Sequence, residues 1–423
     1  MTLSSSKSTN SLNNKFSQSD FLIILGNVVH HYNTTLYTFL VPILAPIFFP
    51  SSDKMISLIM AYGALTTSIF MRPLGAFIFG TMAKKIGPNK CLVYSLAGIG
   101  ITTLSIGILP SFEKIGVLSP ILLLCIKSFG DIFASGESAI SKVCVVNDKT
   151  NALALRGSYF FETATMGGIL LASIASTLAI QIHSNYCVWR LYFVIGALLA
   201  FVIALLRKAI QKQSDVGFTN DNTTKLFIPS NLLILWRQKV KILNLALVNG
   251  FAISVYTFSS VTMNGLMPVI SNVTLLQMTQ INTYFILLDT LLIPIVGTWL
   301  TKTNRPTYAM LYSVIALTLF ICPFWYFVKD ASIYYIALFK FFMMIVRVFF
   351  TCPLNVWYKD LISGSEKYMT LGVGLSFGVI ISKLTPVLCL TIYKLMNNYM
   401  YVVLYMFLLS ALATLVLFNT TKR

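Results

Sequence analysis

Charged side chains interrupt several long apolar runs of this 423-residue chain. A charge at the centre of a membrane-spanning helix costs roughly 2.5–3.5 kcal/mol on insertion scales, so each such group needs an ionic partner or a water-filled cavity. Charges of this kind mark ion pairs, proton relays and solute pathways. The cations in these runs are Arg72, Lys127, Lys142, Lys340, Arg347 and Lys383, and the anions are Asp131, Glu137, Glu162 and Asp289.

The apolar run 119–146 holds the densest set of charges. At about 100° per residue, Lys127, Asp131 and Lys142 lie on one face of a helix. Glu137 lies about 120° away, so the helix has two polar faces and at least one of them borders a cavity. Lys127 and Asp131 are spaced i,i+4 and can neutralise each other, whereas Glu137 has no partner within its own helix. We therefore interpret Glu137 as a functional rather than a structural acid.

Two further charges lie near the ends of apolar runs. Lys142 and Glu162 have similar depths in consecutive runs, so we expect a structural ion pair between them. Lys142 and Lys340 also lie close enough to the ends of their runs for a flexible ammonium group to reach the surface.

The middle of the membrane holds three charges in the second half of the chain. Asp289 and Lys383 lie at equal depth, and an unpaired Asp289 would be costly, so we expect them to form an ion pair. Arg347, at the middle of an intervening run, is the alternative cation for Asp289.

The composition identifies the class of protein that contains these charges. The chain is 57% hydrophobic and 10% charged, with a mean hydropathy of +0.79, which excludes a water-soluble domain of this size. The formal net charge is +18, but the basic residues are scattered between apolar runs and form no patch with aromatic residues. We therefore expect a lipid bilayer as partner and no nucleic acid.

Cysteine and histidine are too dispersed for metal or disulfide chemistry. The seven cysteines show no CxxC spacing, and the three histidines do not cluster with them. The sequence also lacks a glycine-rich phosphate loop, a nucleophile elbow and a paired-carboxylate signature in a polar segment. We predict a protein that is not an enzyme and has neither metal site nor cofactor.

Twelve apolar runs are long enough to cross a bilayer. They lie near 20–45, 55–82, 91–110, 119–146, 155–182, 189–206, 240–262, 276–299, 307–328, 331–357, 368–393 and 398–418. We predict an all-α integral membrane protein with a disordered tail at 1–18, a six-helix bundle at 19–206, a linker at 207–239, a second bundle at 240–418 and a short terminus at 419–423. The two tails, the linker and the loops on the same side of the membrane carry about four times as many Lys and Arg residues as the loops on the opposite side. This excess predicts that both termini are cytoplasmic.

A short basic loop recurs at equivalent points of the two halves. Gly80-Thr81 followed by Lys85 corresponds to Gly297-Thr298 followed by Lys302. Such internal duplication is typical of transporters built from structural repeats. The residues that we assign to these two gating loops are Gly80, Lys84, Lys85 and Gly87 in the first half and Gly297, Lys302 and Arg305 in the second.

Several motifs occur in the order expected for a known family. They are Gly26-Asn27 with Tyr32 and Leu36-Tyr37, the run Leu44–Ser52, Arg72-Pro73-Leu74-Gly75, Gly136-Glu137, Arg156-Gly157 and Trp189-Arg190. With them the chain resembles the major facilitator superfamily, and within it the metabolite:proton symporter branch that includes proline/betaine transporters. The resemblance covers nearly the whole chain and is densest in the first half.

The chain departs from this branch at acidic positions. Where the branch usually has an acidic-aromatic pair followed by Tyr-Asp, this chain reads His30-His31-Tyr32-Asn33. Lys84 replaces the usual Asp of the first basic loop. In the second loop Thr301 stands at the acidic position and Asn304 at a position that is usually Gly.

The resemblance implies a secondary transporter that works by alternating access in a bacterial inner membrane. Its cargo would be a small zwitterionic or anionic metabolite, of the proline, betaine or carboxylate class, moved together with protons by a monomer. The candidates for transport and proton coupling are Glu137, His30, Asn33, Asp131 and Arg72. The alternatives are an uncoupled facilitator or exchanger, and a membrane receptor with the same fold that does not transport.

Overall fold

The computed structural model describes residues 16–52, 54–64, 68–147, 149–181, 188–214, 235–303, 305–362, 364, 366–396 and 398–421. Most of the predicted tail and linker therefore lies outside the described residues. Within the described residues the regular structure is helical, and the predicted all-α membrane class is confirmed.

Eight helices form the first half of the chain. They are α1 (Gln18–Phe48), α2 (Lys54–Gly63), α3 (Ser68–Ile86), α4 (Pro88–Ile108), α5 (Phe112–Ile115), α6 (Leu118–Val146), α7 (Asn151–Gln181) and α8 (Val188–Ser214). The helix α8 continues past the predicted end of the sixth span at 206, so the first residues assigned to the linker are helical.

The second half has eight α-helices and a π-helical segment. They are α9 (Lys239–Thr257), the π segment Phe258–Thr262, α10 (Met263–Ile270), α11 (Leu275–Leu300), α12 (Thr307–Tyr326), α13 (Ile333–Thr351), α14 (Leu354–Leu361), α15 (Lys367–Met396) and α16 (Met400–Thr421). The π segment joins α9 to α10 without a loop. Pro353, which has no backbone N–H to donate, separates α13 from α14.

Ten of the helical stretches in the described residues are long and apolar enough to cross a membrane. The helices at the first two predicted spans, near 20–45 and 55–82, are not among these ten. In both cases polar or charged residues lower the hydropathy of the helix. The helix α1 carries amide and imidazole side chains along its length, and α3 carries Arg72, Lys84 and Lys85. The polar groups of these two helices need partners within the protein.

The hydrophobic core shows how the two halves meet. Separate clusters fill the interior of each half, around Tyr37 and Phe193 in the first and around Phe251 and Trp325 in the second. A further cluster joins Phe161 and its neighbours in the first half to residues of α11 and α13 in the second. The bundles thus share a packed interface, formed mainly by α7 against α11 and by α3 against α15.

This interface is closed at the face that carries the linker, which we call the linker side. There the Ser158 hydroxyl donates to the Cys352 carbonyl oxygen at 2.6 Å, and the Lys359 ammonium donates to the Lys149 carbonyl oxygen at 3.0 Å. Nearer the middle, the Ser376 hydroxyl donates to the Arg72 carbonyl oxygen at 3.1 Å. These contacts bring α3, α7 and the loop after α6 against α14 and α15.

Candidate functional site

A charged cluster lies where the two bundles meet at the middle of the membrane. The Asp131 carboxylate on α6 accepts a hydrogen bond from Arg72 Nε on α3 at 3.0 Å. Lys383 Nζ on α15, from the other bundle, lies 3.6 Å from the same Asp131 oxygen. Asp131 is buried, and its second oxygen, Oδ2, has no hydrogen-bond partner. Asp131 therefore interacts with one cation from each bundle.

The helix α3 reaches this position because a glycine lets it approach α6. Gly75, one turn after Arg72, packs against the Ile132 backbone with no room for a Cβ atom. Lys127, one turn before Asp131, places its ammonium 4.6 Å from the ring centre of Tyr37. Arg72, Lys127, Asp131 and Lys383 form what we call the bridging cluster, with three cations and one anion.

A second charged cluster lies inside the second bundle. Arg347 on α13 donates through Nε and Nη2 to Asp289 Oδ2 on α11, with 3.0 Å between Nε and Oδ2. Lys340, two turns before Arg347, donates to Asn264 Oδ1 at 2.7 Å and to Asn282 Oδ1 at 3.4 Å. Both cations and Asp289 are buried.

These groups surround a small cavity, which we call the second-bundle cavity. It is lined by Tyr256, Ser259, Ser260, Asn282, Phe285, Ile286, Asp289, Lys340, Met344 and Arg347. The two serines belong to the π segment Phe258–Thr262, and π turns inside helices are frequent at functional sites. Tyr256 precedes that segment, and its hydroxyl is buried without a hydrogen-bond partner.

The expected ion pair between Asp289 and Lys383 is wrong. Asp289 pairs with Arg347, the alternative cation, while Lys383 pairs with Asp131. Lys383 lies two turns after Ser376 on α15, on the face that packs against the first bundle. Both residues belong to the second bundle, but Lys383 faces Asp131 of the first bundle, whereas Asp289 faces Arg347 within its own bundle.

Glu137 belongs to a network of hydrogen bonds, and its ionic partner, Arg207, lies on another helix. Its two oxygens accept from Arg207 Nη2 at 2.8 Å and Nη1 at 3.0 Å, and Oε2 also accepts from the Ser95 hydroxyl at 2.7 Å. Arg207 also donates to backbone carbonyl oxygens of α1 and α4. Gly26 on α1 leaves the space that the guanidinium fills. Because every oxygen of this buried carboxylate is paired, it holds α1, α4, α6 and α8 together.

Three other expectations about charges have clear outcomes. Lys142 and Glu162 form the expected ion pair at 3.7 Å, and Asn355 of the second bundle donates to the same Glu162 oxygen at 3.4 Å. Lys340 does not extend to the surface, because it is buried among amide oxygens. Asp131 is paired with Arg72 and Lys383, so Lys127 is not its principal partner.

The candidates on α1 have different surroundings. Asn33 donates to the Val29 carbonyl oxygen at 2.9 Å and to the Gly196 carbonyl oxygen at 3.0 Å, which ties α1 to α8. His30 is buried, its Nδ1 has no hydrogen-bond partner, and its ring centre lies 4.7 Å from that of His31. Asn33 thus supports helix packing, whereas His30 stays a candidate for proton handling.

The family of this chain follows from a profile comparison. The profile of the Major Facilitator Superfamily matches residues 23–382. The chain belongs to the Major Facilitator Superfamily. As expected from the sequence, it is a multi-pass membrane transporter of small molecules and not an enzyme.

Curated relatives of this facilitator include transporters for different metabolites. It is 27% identical over 366 residues to the alpha-ketoglutarate permease of Escherichia coli, covering 84% of the chain and 81% of the permease. It is 28% identical to the proline/betaine transporter of Escherichia coli and 25% identical to the citrate-proton symporter of Klebsiella pneumoniae. The match to the proline/betaine transporter covers 44% of this chain and 38% of that transporter. The match to the citrate-proton symporter covers 50% of this chain and 49% of that symporter.

Solved structures share the fold. The proton:xylose symporter XylE matches with a TM-score of 0.68 at 12% identity, over 95% of this chain and 94% of that one. The human organic anion transporter MFSD10 matches with a TM-score of 0.65 at 14% identity, over 95% of this chain and all (100%) of that one. At such identities the likeness concerns the fold alone.

The basic loops of this facilitator lie on the linker side. Gly80 packs against the backbone of Met369, and Gly297 packs against the ring of Tyr159, so both glycines contact the opposite bundle. Gly87 has a φ of +84° and begins α4, a conformation that favours glycine. The basic residues of the loops, Lys84, Lys85, Lys302 and Arg305, are exposed. Their role in gating stays a prediction.

Two groups in the site were not recognised from the sequence. Arg207 follows the last apolar residues of its run and was assigned to the linker, although a helix continuing to Ser214 buries it. Asn282 was not considered, because an amide in an apolar run carries no charge to reveal it. Asn282 is identified by the structure, where its amide oxygen accepts a hydrogen bond from Lys340.

Proposed function

We propose that this facilitator is a secondary active transporter of small carboxylate anions, driven by protons. The observation that carries the proposal is the charge of the two clusters. The bridging cluster has three cations to one anion, and the second-bundle cavity has two cations to one anion. Charges in excess within membrane-spanning helices need a counter-charge or water, and an anionic cargo supplies a counter-charge. A zwitterion such as proline or betaine would leave the excess in place.

The other buried ion pairs support this assignment, because they are balanced. Glu137 is paired with Arg207 and Glu162 with Lys142, and neither pair leaves a surplus. The excess of positive charge is therefore concentrated beside the bundle interface and the cavity. By their names, relatives carry both alpha-ketoglutarate or citrate and proline or betaine, and the charge favours the first group.

We assign proton coupling to Asp131. Its oxygen Oδ2 has no hydrogen-bond partner and can accept a proton, and the negative charge of the carboxylate attracts Lys383 of the other bundle. A proton on Asp131 would remove this attraction and favour separation of the bundles at that point. Glu137 lacks both properties, since its oxygens are fully paired within the first bundle.

Alternating access would follow from movement of the bundles, at 19–206 and 240–418, about their shared interface. The contacts of Ser158 with Cys352 and of Lys359 with Lys149 would have to break when the linker side opens. Toward the opposite side α7 and α11 remain in contact, with the Ser173 and Thr283 hydroxyl oxygens 3.2 Å apart. The excess of basic residues supports a cytoplasmic linker side, and a single chain contains the entire pathway, so we propose a monomer.

Uptake by the purified protein in liposomes tests the function. Radiolabelled citrate, 2-oxoglutarate, L-malate, L-proline and glycine betaine would each be offered with and without an inward proton gradient. We expect at least one carboxylate to accumulate with the gradient and to stop accumulating when a protonophore is added. Accumulation of proline or betaine alone would overturn the substrate class, and carboxylate uptake that ignores pH would favour the uncoupled facilitator.

A further inference from the structure

We propose that the second-bundle cavity binds the carboxylate of the cargo through Lys340, and that it selects carboxylates with a neighbouring hydroxyl. This proposal rests on the proposed function and specifies where its cargo binds. The sequence marks Lys340, Asp289 and Arg347 as charges within apolar runs, but it does not bring Lys340 together with the other two.

Lys340 is the group that requires an anion. An ammonium has three N–H donors, and the partners of Lys340 are two amide oxygens, those of Asn264 and Asn282. The nearest carboxylate in the cavity, Asp289, has its ion pair with Arg347. The charged form of a buried amine with only neutral acceptors is costly, because no opposite charge replaces its lost hydration. A carboxylate that accepts the third N–H would compensate it.

Two more donors face the same space. The Tyr256 hydroxyl is buried and has no hydrogen-bond partner. Arg347 uses Nε and Nη2 for Asp289, and its Nη1 makes no hydrogen bond within the described residues. Together with Lys340, these groups form a set of three donors. Tyr256 lies near the end of α9, and Lys340 and Arg347 lie on α13. Such a set suits the two oxygens of one carboxylate.

Asp289 supplies the selectivity. Its Oδ1 is buried without a hydrogen-bond partner while Oδ2 receives both bonds from Arg347. A second carboxylate near this free oxygen would be repelled, unless an N–H or O–H lies between them. Hydroxy acids and amino acids carry such a donor next to the carboxylate, whereas quaternary betaines do not. A hydroxy acid also carries the net negative charge that the cavity lacks.

The first experiment measures ligand-induced thermal stabilisation of the purified protein in detergent. Citrate, L-malate and succinate are the probes, and L-malate differs from succinate only by a hydroxyl. A ligand that binds only the folded state raises the melting temperature with concentration. We expect wild type to be stabilised more by L-malate than by succinate. Equal stabilisation by the two would overturn the role of Asp289.

Variants then locate the binding site. Lys340→Gln should remove most of the stabilisation, and Lys329→Gln, an exposed cation of the same bundle, is the matched control and should keep it. Lys340→Gln with wild-type stabilisation would overturn the proposal while leaving the proposed function in place. Wild type that neither binds nor transports any carboxylate would instead overturn the proposed function, and this site with it.

A second variant covers the case in which Lys340→Gln does not fold. Asn282→Asp keeps the shape of the side chain and places a carboxylate 3.4 Å from the ammonium, at the present amide oxygen. This internal anion should compete with the ligand and weaken L-malate binding at least about tenfold, which is one unit on a logarithmic affinity scale. Unchanged affinity in folded Asn282→Asp would contradict the assignment of Lys340.

Discussion

At the residue scale, paired and unpaired carboxylates have different roles. Glu137 is fully buried, and Arg207 and Ser95 satisfy both of its oxygens. Asp131 and Asp289 are also buried, yet each keeps one oxygen without a partner. A saturated pair stabilises packing, whereas a free oxygen can receive a proton or a ligand. On this difference we propose a structural role for Glu137 and functional roles for Asp131 and Asp289.

Glu137→Gln should therefore act on stability. Removing one member of a buried ion pair typically costs about 3–5 kcal/mol, because the other charge is left without a partner, while removing both can be nearly neutral. Glu137→Gln and Arg207→Met should each lower the melting temperature, and the double variant should recover much of the loss. The folded fraction of Glu137→Gln should keep its proton-driven uptake. Loss of coupling without loss of stability would return Glu137 to the transport mechanism.

Asp131→Asn should act on coupling. The amide cannot take up a proton, so uptake driven by a pH gradient should disappear, whereas exchange of labelled for unlabelled cargo should persist. Asp360→Asn, at an exposed acid of α14, is the control and should keep both activities. If Asp131→Asn still accumulates cargo against its gradient, the coupling carboxylate lies elsewhere, and His30 becomes the next group to test.

At the element scale, the breaks in helices coincide with the site. The π segment Phe258–Thr262 replaces a loop between α9 and α10, and Tyr256 and two serines at this point line the second-bundle cavity. Close approach between bundles depends instead on glycines, since Gly80 and Gly297 contact Met369 and Tyr159 with no room for a Cβ atom. The π segment therefore shapes a cavity, whereas the glycines allow the two bundles to pack closely on the linker side.

Gly297→Ala tests the closed face. A Cβ atom at this position would overlap the Tyr159 ring, so α7 and α11 should separate and the linker side should open more often. Cys352 is buried in the core shared by the bundles, and its alkylation by N-ethylmaleimide, followed by mass spectrometry, reports this opening. Alkylation should be faster in Gly297→Ala. The control is Gly167→Ala, where an added Cβ meets nothing within 4 Å, and its Cys352 should be alkylated at the wild-type rate. Equal rates in all three proteins would show that Gly297 does not govern closure of the linker side.

At the scale of the whole molecule, the sequence was informative about elements and depth but not about neighbours. Periodicity and depth were enough to pair Lys142 with Glu162, because the helices α6 and α7 are consecutive. The same information failed for Lys383, because depth does not say which bundle a face of α15 packs against. Hydropathy failed for Arg207, because it cannot tell a buried helical cation from the first residue of a linker.

The orientation of the molecule is the last prediction. If basic loops stay in the cytoplasm, Lys302→Cys on the linker side should react with a membrane-impermeant maleimide only after cells are permeabilised. Glu113→Cys in α5, which joins α4 to α6 on the opposite side, should react in intact cells. Both positions are exposed, so burial does not limit either reaction. The reverse pattern would place the linker outside the cell, and the direction in which a proton gradient drives the cargo would then be inverted.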